Sequence, residues 1–147
     1  MLAARFRLDG KVAIITGSGK GIGQGIGLMF AEAGAKVVFT ARTEGDVRAN
    51  AEMAKAFGVP ALAVPCDVKD DGQLQTLVAK TIEAFGRIDI VVNNAGGAMP
   101  NQIPRTSRKR FNEAFDFNVT SALMVVRYSL SHLQESKGCV INICSAA

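Results

Sequence analysis

The sequence predicts an α/β protein organised as a doubly wound parallel sheet. Apolar runs too short for helices alternate with apolar-periodic segments along the whole chain. A glycine-rich turn directly follows the first of those runs and opens the first helical segment. No repeat, low-complexity tract or linker interrupts the alternation, so the 147 residues suit one domain, 1–147, with a sizeable core.

The first strand is read from Val12, Ala13, Ile14 and Ile15 and ends near Thr16. Gly17, Gly19, Gly21 and Gly23 follow, then a helix through Ile26, Met29 and Phe30. Gly25 and Gly27 inside that helix each cost about 1 kcal/mol relative to alanine, so tight packing on the sheet is the reason expected for both. Ala35 to Thr40 is a second strand, Glu44 to Phe57 a helix stopped by Gly58 and Pro60, and Ala61 to Val64 a third strand. Leu74, Leu77, Val78 and Ile82 mark a helix over Asp70 to Phe85, ended by Gly86. Ile88 to Val92 is strand four. A loop with Gly96, Gly97, Pro100 and Pro104 leads to one long helix, roughly Ser107 to Glu135, and Cys139 to Cys144 is strand five. Strand five is expected at an edge, apolar and unpaired on one side. Parallel strands joined by right-handed crossovers put a ligand crevice at their carboxyl ends. Arg42, Asp67, Asn93, Asn94 and Ser145 all fall just after strands.

Strand, glycine turn and helix bring backbone N–H groups and the positive end of a helix dipole to one point, a site suited to a phosphate. The ligand expected is a nucleotide. The spacing G-x-G-x-x-G fits no register here, and a Walker loop fails because Gly21 rather than Ser or Thr follows Lys20. The pattern that fits is Thr16-Gly17 followed by Gly21 and Gly23, or T-G-x-x-x-G-x-G.

That pattern resembles the cofactor loop of the short-chain dehydrogenase/reductase family, a group with a Rossmann-type fold. Asn93-Asn94-Ala95-Gly96 is similar to the family's N-N-A-G motif, and Cys66-Asp67-Val68 stands where the family uses an Asp to hydrogen-bond the adenine. Asn118 resembles the family's helix-borne catalytic asparagine, and Ser145 its catalytic serine. Arg7-Leu8-Asp9-Gly10-Lys11 and the Gly96-Gly97 pair before Pro100 look most like the hydroxysteroid-dehydrogenase-like branch. The resemblance implies hydride transfer between a nicotinamide cofactor and a secondary alcohol or ketone. It assigns cofactor contacts to Gly17, Ser18, Gly19, Lys20, Gly21, Ile22, Gly23, Arg42, Thr43, Asp67, Val68, Asn94, Ala95 and Gly96. Ser145 would hold the substrate oxygen and Asn118 would support a water relay.

The end of the second strand reads Thr40-Ala41-Arg42-Thr43. An NAD site usually has an acid here for the ribose hydroxyls, while a 2′-phosphate needs positive charge. Ala41 occupies the acid's place, Arg42 supplies a fork of donors, and Lys20 adds a second charge, so NADP(H) is the expected cofactor.

The family's catalytic tyrosine and lysine, Y-x-x-x-K, do not occur in the 147 residues. The only tyrosine, Tyr128, has His132 four residues on and is expected to serve packing or an interface; His132, near a helix end, suits the helix dipole. The chain is therefore expected to be the amino-terminal portion of a longer enzyme, its sheet incomplete at the carboxyl end. The alternative is a catalytically inactive NADP-binding or assembly module. Leu123, Val126 and Leu130 could serve core or interface, and a homo-oligomer is expected of the complete protein. The net charge of +4 comes from 17 scattered basic residues, and the small cluster at Arg105, Arg108, Lys109 and Arg110 lacks interleaved aromatics, so nucleic acid is not an expected partner. No apolar run reaches membrane length, and a cytoplasmic location is expected. Cys66, Cys139 and Cys144 have no metal-ligand spacing and read as reduced core thiols, with no metal site.

Overall fold

A computed structural model describes residues 4–97 and 102–145; Pro100 of the expected loop lies outside them. Five parallel strands form one sheet in the order β3-β2-β1-β4-β5, with β1 at Val12–Thr16, β2 at Lys36–Thr40, β3 at Ala61–Ala63, β4 at Ile90–Asn93 and β5 at Cys139–Asn142. The order doubles back at β1, so the β1–β4 junction is the switch point at which such sheets open a crevice.

Alternate residues of each central strand enter separate cores, which is why these strands read as unbroken apolar runs. Ala13, Ile15, Val37, Phe39, Ile90 and Val92 pack with Ala31, Val47, Ala51 and Ala54, from α1 (Gly21–Glu32) and α2 (Glu44–Lys55). Ile14, Val38 and Val91 pack on the opposite face with Leu74, Leu77 and Val78 of α3 (Asp71–Phe85) and Val125 and Leu133 of α5 (Ser121–Ser136). Helix α3 starts where Asp70 accepts from the Gln73 N–H and stops at Gly86, whose φ of 73° suits a left-handed cap. At the amino ends of the strands, buried Asp89 accepts from the Val12 N–H (3.0 Å), Lys11 Nζ (3.2 Å) and Arg87 Nε (2.8 Å) and Nη2 (2.6 Å). Burial pushes this carboxyl up, but the bonds from Arg87, Val12 and Lys11 together outweigh it and leave it below the ordinary carboxylate range.

Three expectations need correcting. The long helix is α4 (Arg108–Phe115), then a π-helical turn (Asp116–Thr120), then α5; the extra residue of the π turn rotates α5 relative to α4. Gly27 packs as expected, since a Cβ there would overlap the Phe39 ring, but one on Gly25 would meet nothing within 4 Å. Gly25 is on the outer face of α1. Only Cys66 is a buried thiol, whereas Cys139 and Cys144 are exposed. Of the two roles left open for Leu123, Val126 and Leu130, the exposure of Leu123 (64%) and Leu130 (47%) fits an interface and not the core, while Val126 is half-buried. Strand bounds otherwise differ from those expected by a residue or two, which is fraying.

Candidate functional site

The carboxyl ends of β1, β2, β4 and β5 are level, because Thr16 pairs with Thr40 and Asn93 with Asn142. The segments that leave those strands therefore meet along one edge. Gly17 turns out of β1 with φ 63°, and a Cβ on it would lie 2.8 Å from the Ala95 Cα. A Cβ on Gly23 would sit 2.5 Å from both Asn94 Nδ2 and the Gly17 oxygen. Glycine is required at these two positions because the loop after β4 crosses so close. Gly21 is different: its φ is 60°, nothing lies within 4 Å of a Cβ there, and it opens α1 beside exposed Ile22.

The loop is held by side chains. Asn94 Nδ2 donates to the Thr16 oxygen (3.0 Å) and the Gly17 oxygen (3.1 Å), while the N–H groups of Asn94 and Ala95 donate to Thr16 Oγ1 at 3.1 and 3.0 Å. Ser18 is fully buried, its N–H donating to the Thr40 oxygen and its Oγ accepting from the Thr40 N–H at 2.8 Å. Its hydroxyl is turned into the protein. Sequence reasoning missed Asn50, whose Nδ2 donates to the oxygens of Ser18 (2.8 Å) and Gly19 (2.9 Å). A signal for it existed: Asn50 shares the helix face of Val47, Ala51 and Ala54, so it is a polar residue on a buried stripe.

Charge gathers at the end of β2. Arg42 is exposed and its side chain meets no hydrogen-bonding or charged partner among the described residues, while Ala41 beside it is half-buried. Thr43 caps α2 without a side-chain hydrogen bond. Lys20, the residue before α1, lies 3.4 Å from Asp46 Oδ2, an acid that sequence reasoning did not single out. At the far end, buried Val68 follows Asp67, whose Oδ1 accepts from the Lys69 N–H at 3.0 Å. Burial pushes the neighbouring Cys66 thiol up to about 11, so it stays protonated and takes no nucleophilic part.

On the β4–β5 side, Asn118 stands on the π-helical turn, a feature frequent at functional sites. Its Oδ1 accepts from the Gly97 N–H (2.8 Å), and its Nδ2 donates to the oxygens of Gly97 (2.9 Å) and Ala114 (2.7 Å). A Cβ on Gly96 would lie 2.7 Å from Asn118 Oδ1. Asn118 thus ties the helix to the segment after β4, and Ser145 leaves the adjacent strand β5 as an exposed residue. The structure brings Gly17 to Gly23, Arg42, Asn94 to Gly97, Asn118 and Ser145 to one edge of the sheet. Tyr128 and His132 lie elsewhere, in a shallow groove between α3 and α5 with Val78, Ile82 and Glu83.

Residues 11–147 match the model of the short chain dehydrogenase family. The chain belongs to the short-chain dehydrogenase family. An L-fucose dehydrogenase of Rattus norvegicus is 40% identical over 145 residues, covering 98% of this chain and 52% of that protein. A 7α-hydroxysteroid dehydrogenase solved with NADH and 7-oxo glycochenodeoxycholic acid superposes with a TM-score of 0.92 at 33% identity, over 99% of this chain and 57% of that one. An L-sorbose reductase from Gluconobacter frateurii, solved with NADPH and L-sorbose, gives a TM-score of 0.90 at 31% identity, over 96% and 54% of the two chains. The chain spans about half the length of the curated relatives it matches. Its oxidoreductase family and Rossmann-type sheet accord with the reading of the glycine turn. The solved relatives carry both NADH and NADPH, so similarity alone leaves the choice between them to this chain's own residues.

Proposed function

We propose that the protein is an NADP(H)-dependent oxidoreductase that interconverts a secondary alcohol and a ketone, and that these residues form its cofactor-binding part. The observation that carries the cofactor choice is Arg42: a cation without a partner among the described residues, next to an alanine where an acid would repel a 2′-phosphate. The residues fit such a cofactor. Gly21 leaves the start of α1 open to a pyrophosphate, Gly23 lets the loop close against Asn94, Arg42 with Thr43 and Lys20 would hold the 2′-phosphate, Asp67 and Val68 would border the adenine, and Asn94 to Gly96 would line the way to the nicotinamide. When bound, the nicotinamide donates or accepts the hydride.

Ser145 would donate a hydrogen bond to the substrate oxygen. Asn118, with both ends of its amide engaged by backbone, would hold the helix and the Gly97 segment in fixed register for a water relay. The hydroxyl proton would move through the tyrosine of a Y-x-x-x-K element, which these 147 residues do not contain. Small secondary alcohols or ketones are the substrate class; relatives named for a sugar and for a steroid both belong to it. Phe111, Phe115, Val119, Leu123 and Leu130 make an exposed apolar stripe along α4 and α5 that suits a second copy of the protein. A cytoplasmic location belongs to this reading, and among the described residues no helix is long and apolar enough to cross a membrane.

Fluorescence titration with NADPH and NADH tests the reading. NADPH should bind more tightly, and Arg42→Ala should weaken NADPH by about tenfold to a hundredfold, the loss of a charge-assisted contact, with little change for NADH. A wild-type preference for NADH would overturn the cofactor assignment.

A further inference from the structure

Four successive backbone oxygens, from Thr16 to Gly19, are each held by a side-chain amide. Asn94 takes the first two, and Asn50 takes the second two at 2.8 and 2.9 Å. Asn94 comes from the segment after β4. Asn50 comes from the middle of α2, outside every glycine and asparagine motif of the sequence, and is 2% exposed.

We infer that Asn50 is a positioning residue for the cofactor loop, holding the Ser18 and Gly19 carbonyls toward α2 so that the next N–H groups along the chain face away, into the crevice. The peptide unit is planar and trans, so a carbonyl pinned in one direction sends the N–H of the next residue in the opposite one. Pinning Ser18 and Gly19 therefore aims the amides of Gly19 and Lys20, and neither amide has a hydrogen-bond partner among the described residues. Adjacent outward N–H groups are a cradle for an anion. Asn50 itself cannot turn over: its Oδ1 accepts from Gln24 Nε2 of α1 at 2.7 Å, and a flipped amide would set an oxygen against two carbonyls. One buried carboxamide thus joins α2, the loop and α1. This inference rests on the nucleotide-binding reading of the loop, and it adds a residue that touches no cofactor.

The experiment measures NADPH and NADH affinity by fluorescence titration, with melting temperature, for wild type, Asn50→Ala, Asn50→Ser and Arg42→Ala. Both cofactors share the pyrophosphate, so Asn50→Ala should weaken both by about tenfold with their ratio unchanged, the size expected of lost hydrogen bonds. Asn50→Ser, which keeps one donor and adds no bulk, should fall between Asn50→Ala and wild type and serves alone if the alanine variant does not fold. Arg42→Ala should change the ratio instead. A purely structural asparagine would lower the melting temperature while leaving both affinities of the folded protein within twofold of wild type, and that result overturns the inference. Failure of the wild type to bind either cofactor would overturn the nucleotide-binding reading itself, a different outcome from intact wild-type binding with indifferent Asn50 variants.

Discussion

At the β1–β2 end of the crevice the backbone is fastened at every step: Thr16 to Gly19 give their oxygens to Asn94 and Asn50, and β1 beneath them is buried along its whole length. At the β5 end, Val140, Ile141 and Ile143 are 38–40% exposed, and the outer side of β5 pairs with no described strand. One sheet therefore carries a closely restrained region and, among the described residues, an open region. The difference is one of coverage. Residues of β1 are sandwiched by helices on both faces, whereas among the described residues β5 has only α5 packed near it and its outer edge pairs with no strand. Tight restraint suits a pyrophosphate cradle, in which amides must be aimed before the ligand arrives. The proposed reacting groups, Asn118 and Ser145, stand on the open side.

Truncating matched isoleucines would sharpen that contrast most. Ile15→Ala removes a side chain with no exposure and should cost about 2–5 kcal/mol of stability, the range for buried large-to-small changes. Ile141→Ala, at 39% exposure, should cost well under half as much. Urea denaturation monitored by circular dichroism would read both. Equal losses would mean that β5 is covered in solution, as by a second copy, and the comparison would break.

A pH series probes the covered strands β1 and β4 from their amino ends, with a smaller expected effect. Asp89 ties β1 to β4 at the amino ends of the strands through Val12, Lys11 and Arg87, and its carboxyl is held below the ordinary range. A carboxylate with a lowered folded value stabilises the protein fully above the unfolded value of about 3.9 and loses that contribution as pH falls through the folded value. Melting temperature should therefore drop as pH falls below about 4. Asp89→Asn should cost about 1–3 kcal/mol at neutral pH, as hydrogen bonds to a charged group are lost, and should flatten the acid limb of the profile. An unchanged acid limb in the variant would show that other carboxylates govern it.

Much of this arrangement was readable from residues, and the limits were physical. The strands were legible because both faces are buried, which leaves runs such as Val12 to Ile15 uninterrupted. Gly17, Arg42 and Asn94 were legible because a strand end, a turn and a charge coincide there. Asn50 was not, because an asparagine inside a helix more often faces solvent or its own backbone, and only the fold shows that its partners lie in a loop more than thirty residues earlier in the chain. The π-helical turn under Asn118 was equally hidden: the apolar spacing from Ser107 to Glu135 continues through it, while the backbone changes its hydrogen-bond period. Cys139 and Cys144 look like core residues by composition, and their exposure comes from the position of β5, not from their neighbours in sequence.

The smallest expected effect comes from two glycines in the first helix that the sequence makes equivalent. Gly25 and Gly27 lie on the same helix, two residues apart and thus on different faces, and both weaken it relative to alanine. On Gly27 a methyl group would enter the ring of Phe39, a β2 residue with no exposure, so Gly27→Ala must displace a core side chain or the helix. On Gly25 the methyl group would meet open space. Gly25→Ala should therefore stabilise the protein by about 0.8–1 kcal/mol, the difference in helix propensity, and leave cofactor affinity unchanged. Gly27→Ala should destabilise it, by about 1–3 kcal/mol for an overpacked core. Thermal melts of the two variants decide the matter by sign alone: a loss of stability in Gly25→Ala would mean that the outer face of α1 is packed against something in solution.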